Sequence, residues 1–346
     1  MRRSVFVTIL GWAALQAAAG EPALHMFVLD RNATPSQIDA RADPETPALH
    51  MTILQKAAEP RPAPFHFTYA LGMGYRRDEP DWKTSSGGRP FIRETWRDLD
   101  NIRLTGEAHI VTPIRLTFQG RVAYSWVLTG RQRRSDYLGD RYDRAFSRIE
   151  GDVDEGHGLM AAAGFGYHLP LWNHLGFRAW LEPLAGYGYR ELNLNLEEPK
   201  QVIATQGLTP PAGRLRGAAY RYQVRWHGPW LGMRLGLAGE RWELHGQGEY
   251  HFARYRADGR WKRLANADRK ITFEQNGDGF GIVATVGGSY RFWDRLAIQL
   301  DLDFQHWKID GGDDVTALED GSRIRNRLDE ASWRSLGGNL SLRYDF

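Results

Sequence analysis

An all-β fold, a ten-stranded antiparallel transmembrane β-barrel, is predicted by three observations. Apolar and polar residues alternate in long runs from Phe65 to the end of the chain, and the runs are joined alternately by tight and by long connections. The third observation is a dense set of charges on one face of the runs, including Arg103, Glu107, Arg121, Glu182, Arg234, Glu249, Asp301 and Asp303. Side chains of a strand alternate between its faces, so each run has an oily and a charged face. An Arg on the lipid face at the bilayer midplane costs about 2–4 kcal/mol. The charges are therefore expected inside a closed ring, where opposite signs can pair. A soluble sandwich would also bury one face, but it has no reason to sort its connections by length.

The N-terminal residues read as export machinery. Arg2 and Arg3 precede an apolar stretch, Val5–Leu15, and the small residues Ala17–Ala19, so residues 1–20 are expected to be a secretory signal peptide. Residues 21–64 are rich in Pro and Ala and repeat the segment Pro22–Met26 as Pro47–Met51. They are expected to be a flexible periplasmic lead-in. His25 and His50 lack the further ligands that a metal site needs.

The barrel is assigned to 65–346. Its first strand sets Tyr69, Leu71, Met73 and Tyr75 against Thr68, Ala70, Gly72 and Gly74. The pair of strands on either side of Gly239 is the most regular: Leu231, Met233, Leu235 and Leu237 on one, Leu244, Tyr250 and Phe252 on the other. Tight turns are expected near 112, 172, 240 and 294, and long loops over 77–100, 130–157, 193–218, 256–277 and 308–331. An even strand number with short turns on one side and long loops on the other is the pattern of a bacterial outer-membrane barrel with its short turns in the periplasm.

Composition agrees with this. The 15 Phe, 14 Tyr and 13 Trp are enough for aromatic girdles. A mean hydropathy of −0.52 leaves no room for a helical span after the signal. The chain has no cysteine, so packing and hydrogen bonds must hold it. A net charge of +3 and a pI near 9.0 suit an anionic phosphorylated surface but are too mild for a nucleic-acid binder. No cofactor is expected, and lipopolysaccharide is the one bound lipid anticipated. Leu342, Tyr344 and Phe346 continue an outward stripe like the terminal signal read by the barrel-assembly machinery, and a monomer is expected.

The pattern Tyr222, Arg225, Trp226, Pro229, Trp230, Leu231, Gly232, Met233, then Glu240, Trp242, Glu243, Leu244, Gly246 and Tyr250, with Lys270–Phe273 further on, resembles the omptins. These are ten-stranded outer-membrane endopeptidases of aspartyl type. The chain also looks like the outer-membrane proteins of Protochlamydia-type bacteria. Residue-level likeness to omptins is confined to about 220–273, whereas the strand count covers the whole barrel.

The omptin likeness implies an Asp and a His two positions apart on strand seven, facing an Asp-x-Asp pair above strand three. Here Arg260 and Lys262 stand at the first two positions, or Lys262 and Leu264 with the alignment run back from Lys270. Above strand three only Asp136, Asp140 and Asp143 are available; Asp154 has the required spacing from Asp152 but no His partner. A general base must titrate near the working pH within reach of its water, which Lys and Arg do not. A catalytically silent barrel is therefore expected, with a structural, lipopolysaccharide-binding or surface-interaction role. The alternatives are an endopeptidase with displaced catalytic residues and a narrow channel, although ten strands enclose little more than their own side chains. Omptins hold lipopolysaccharide with an outward Arg on strand six, which the likeness places at Arg225; of the family's contacts on strand five Tyr187 matches, while Tyr189 and Glu191 depart. With the alternation unbroken through Pro229, Arg221, Gln223, Arg225 and His227 face outward; a bulge at Gly228–Pro229 would turn these four inward.

Overall fold

The structure, a computed structural model, describes residues 65–153, 155–262, 270–317 and 321–346. The expected signal peptide, the lead-in and the candidate Asp154 lie outside these residues, as does Leu264. The strands in chain order are β1 (His66–Ser86), β2 (Arg89–Val111), β3 (Leu116–Tyr137), β4 (Ala145–Asp152), β5 (Glu155–Tyr167), β6 (Leu169–His174), β7 (Phe177–Glu197) and β8 (Lys200–Ile203). They continue with β9 (Gly213–Arg214), β10 (Ala219–Ala238), β11 (Trp242–Lys262), β12 (Lys270–Arg291), β13 (Leu296–Ile309), β14 (Gly312–Ala317) and β15 (Arg323–Asp345). Every pairing is antiparallel. β2, β1, β15, β13, β12, β11, β10, β7, β5 and β3 follow one another around the ring, and β2–β3 pairing closes it. The predicted ten-stranded barrel is thus present, and the five other strands are short ribbons in its connections.

The predicted long loops are mostly strand. The connection expected over 77–100 shrinks to Gly87–Gly88, with β1 and β2 paired nearly to the turn. Both glycines have positive φ, +60° and +80°, as a two-residue hairpin turn of this hand requires. Alternation runs on through β1, but in β2 it changes phase at a bulge around Asp98 (φ +52°), above which Ile92, Glu94 and Trp96 face in and Arg93, Thr95 and Arg97 face out. The tight turn expected near 172 lies at Leu175–Gly176, because β6 extends the hairpin to its partner β7.

The outward stripe is apolar only over the lower half of each strand. On β1 it runs Tyr69, Leu71, Met73, Tyr75 and then meets Arg77, whose Nε lies 2.8 Å from Asp100. On β13 it runs Ile298, Leu300, Leu302, Phe304. This belt is the lipid-facing band of the barrel, and the ring above it forms an extracellular head.

The interior has two storeys. At belt depth it is charged and paired: Arg121 with Glu249 at 3.1 Å, His251 with Glu249 at 2.8 Å, Arg343 with Glu243 at 2.7 Å, and Arg103 with Asp303. Buried charges persist only when so compensated. In the head the interior is apolar. Trp82, Trp96, Leu192, Leu194, Leu196, Tyr220, Trp226 and Ile309 are almost wholly buried there in one cluster. At the floor between the storeys, Trp333 Nε1 donates to Asp78 at 2.9 Å, and the Arg190 guanidinium lies 5.3 Å from the Trp333 ring.

Candidate functional site

Long strands carry inward residues of β1, β2, β10, β11 and β12 above the membrane, where they meet inside the ring. Trp96 stacks on Tyr222 at 5.6 Å, and Tyr220 on Trp261 at 4.3 Å. Trp82 packs on Phe273 at 5.2 Å. Into this apolar environment β2 delivers one carboxyl, Glu94, which is fully buried. It accepts a hydrogen bond from the Tyr220 hydroxyl at 2.9 Å. Burial pushes the Glu94 carboxyl up to about 7, the Arg134 guanidinium and the Tyr220 hydrogen bond opposing the rise. A second path links the Tyr255 hydroxyl, donating to Gln275 Oε1 at 2.9 Å, with Gln275 Nε2, donating to Asp314 at 3.0 Å. Desolvation holds the Asp314 carboxyl above its ordinary range as well.

Of the described residues weighed for the omptin catalytic positions, only Asp136 reaches this interior. Arg260 and Lys262 are exposed and alternate with the inward Ala257, Gly259 and Trp261. Asp136 faces inward but pairs with Arg134 at 3.3 Å, while Asp140 sits on an exposed connection against Arg89 at 3.3 Å. No pair of carboxylates faces a His in the head among the described residues. The sequence reading missed Glu94 because it placed residues 77–100 in a loop; the alternation of Glu94 with Arg93 and Thr95 beside Trp96 was the available signal.

On the outer wall the register between β10 and β7 runs without a break through Gly228 and Pro229, so no bulge reverses the strand. Arg221, Gln223, Arg225 and His227 face outward, as expected, while Tyr222, Val224 and Trp226 are buried. Arg225 lies opposite Arg256 on β11, and His227 opposite Arg254. The Arg225 guanidinium contacts Asp258, and Arg221 Nε donates to Asn195 at 3.1 Å. Tyr187 sits at the base of the patch, 53% exposed, with its hydroxyl 2.7 Å from His227 Nδ1. The cations thus stand directly above the apolar belt of Leu231, Tyr250 and Phe252. Arg254 and Arg256 were not singled out from the sequence, although they share the parity of Tyr250 and Phe252.

A polar cavity of about 990 Å³ occupies the lower storey and reaches the tight turns at Thr112–Arg115 and Asp294–Arg295. Within it Glu182 is held by His109 at 3.1 Å and His168 at 2.8 Å. Among the described residues no group of three or more His, Cys, Asp or Glu side chains is disposed to hold a metal ion.

A closed antiparallel ring with an apolar outer belt and a charged lower interior is an outer-membrane β-barrel. Residues 70–346 match the family described as Pom, Protochlamydia outer membrane protein, and the chain belongs to that family. Its place is therefore the outer membrane. The fold is similar to that of the outer membrane protease OmpT from Escherichia coli, with a TM-score of 0.69 at 12% identity, covering 82% of this chain and 99% of that one. The translocator domain of the autotransporter NalP from Neisseria meningitidis is a more distant likeness, with a TM-score of 0.34 at 11% identity over 81% of this chain and 88% of that one. At such identities the likeness is one of fold. No curated protein matches the chain in sequence.

Proposed function

We propose that this protein is a non-catalytic outer-membrane barrel that holds lipopolysaccharide against its outer wall at β7, β10 and β11. The observation that carries the reading is the outward set Arg221, Arg225, His227, Arg254 and Arg256, which begins where the lipid belt ends. Lipid phosphates lie at that level, and guanidinium groups bind them with two parallel hydrogen bonds. Part of the charge is already neutralised by Asp258, which fixes the Arg225 side chain in place. The absence of catalysis is supported by the aromatic packing of the head and by the outward aim of Arg260 and Lys262. That packing also weighs against a channel, since indole and leucine side chains of the head are buried in one cluster inside the ring.

The test uses the refolded barrel. Lipopolysaccharide should bind in a salt-dependent manner, and Arg225→Ala combined with Arg256→Ala should weaken it by about tenfold. Unchanged binding would remove the wall patch from the reading. A panel of dibasic peptides should stay uncut with lipopolysaccharide present; turnover abolished by mutating Asp136, Asp140 or Asp154 would establish a peptidase instead. The expected role of Phe346, Tyr344 and Leu342 in assembly rests on their outward stripe and on the Phe67–Phe346 ring contact at 4.9 Å, which closes the seam. Phe346→Ser should slow formation of the heat-modifiable barrel, and equal assembly would count against the signal.

A further inference from the structure

Below the wall patch the lipid-facing belt is not smooth. A groove of about 580 Å³ opens in it over β5, β7 and β10, lined by apolar and aromatic residues. Its floor follows from the register. On the outward face Ala185 of β7 stands between Leu231 of β10 and Phe165 of β5, and one row higher Ala163 of β5 stands beside Tyr187 of β7. Phe165, Tyr187, Leu231 and Phe252 are 53–60% exposed and form the walls. Two methyl side chains among four large ones leave a hollow. The floor is also stiff. A Cβ on Gly164 or Gly186 would come within 2.6 Å of the Trp230 indole, so that buried ring packs directly against the sheet from inside and holds the floor in place.

The groove is continuous with the cations above it. Tyr187 belongs to both, since its ring is a wall of the groove and its hydroxyl lies 2.7 Å from His227 Nδ1. His227 and Arg225 stand two and four residues above Pro229, at the upper end of the groove, which places them about 7 and 13 Å higher along the strand. At belt depth the surroundings are acyl chains as apolar as the groove itself, so dispersion contact and not the hydrophobic effect decides what fills it. An unfilled hollow forfeits those contacts. A rod-like methylene chain touches floor and walls along its length, whereas a neighbouring barrel brings only single side chains to them. A chain tethered to a headgroup already held at the patch also meets the groove at a higher effective concentration than a free lipid does.

We propose that the groove seats an acyl chain of the same lipopolysaccharide molecule whose phosphate lies on Arg225 and Arg256, so that the wall selects the lipid by its acylation as well as by its charge; the inference rests on the patch reading given above. The full refolded barrel in micelles is titrated with lipopolysaccharide and with its fully deacylated form, which keeps the phosphates. Ala163→Phe with Ala185→Phe fills the groove and should weaken binding of the acylated lipid about fivefold while leaving the deacylated form unchanged. Ala163→Val with Ala185→Val, a smaller filling, should give an intermediate loss, and heat-modifiable migration verifies that each variant is folded. Arg225→Ala with Arg256→Ala should weaken both titrants. Phosphatidylethanolamine, which has acyl chains and no net charge, should compete poorly with lipopolysaccharide on the parent barrel. Equal binding of the acylated lipid by filled and parent barrels would overturn the groove and leave the patch standing, and a filled barrel altered only in its sedimentation would assign the groove to a second copy. Equal competition by phosphatidylethanolamine would overturn the selection of one lipid. A patch variant that binds both titrants as the parent does would overturn the patch reading and this inference with it.

Discussion

Glu94→Gln isolates the energetic cost of placing one carboxyl in an aromatic core. In the folded head the group is fully buried and titrates near 7 instead of its ordinary 4.5. Between those two values the folded protein keeps a proton that the unfolded chain has released, so stability falls as pH rises. The contribution is fully present below about 4.5, is lost as pH climbs through about 7, and is constant above that. A difference of two and a half pH units at 1.36 kcal/mol each amounts to about 3 kcal/mol. Glutamine keeps an oxygen to accept the Tyr220 hydroxyl and cannot ionise, so the variant should lose this pH dependence while retaining the fold. Asp314 titrates in the same direction, so the parent-minus-variant difference is the quantity that reports Glu94. The assay is denaturant unfolding of the refolded barrel in micelles at pH 5 and pH 8, followed by near-ultraviolet circular dichroism of the packed tryptophans. Parent and variant with the same pH dependence would refute the placement of Glu94 in a desolvated site.

Trp96→Ala removes the ring that stacks on both Tyr220 and Tyr222 and should cost about 3–5 kcal/mol, read as loss of the same aromatic signal with the belt still heat-modifiable. Arg103→Ala strands Asp303 inside the barrel and should destabilise it by about 3–5 kcal/mol, whereas replacing both by apolar residues of similar size should recover much of that in unfolding measurements. Protease shaving of intact cells should cut the exposed connection around Arg141 and Arg144, on the extracellular side; cleavage at the turns near 112 or 240 instead would invert the topology.

The sequence alone determined the barrel, because period-two alternation is a local property and the sign of each face is written in the residue types. Leu231, Met233 and Leu235 could only face lipid if Arg234 faced in, and the same reasoning oriented Arg225 and His227 once the strand was taken as unbroken. It also disclosed that Arg260 and Lys262 stand where the omptin likeness would require an acid and a base. What alternation cannot reveal is which strands lie across the ring from one another. Trp96 on β2 and Tyr220 on β10 are 124 positions apart in sequence, and nothing local to either shows that they stack. Glu94 acquires its raised affinity for a proton only from that closure, since desolvation is a property of everything packed around a group.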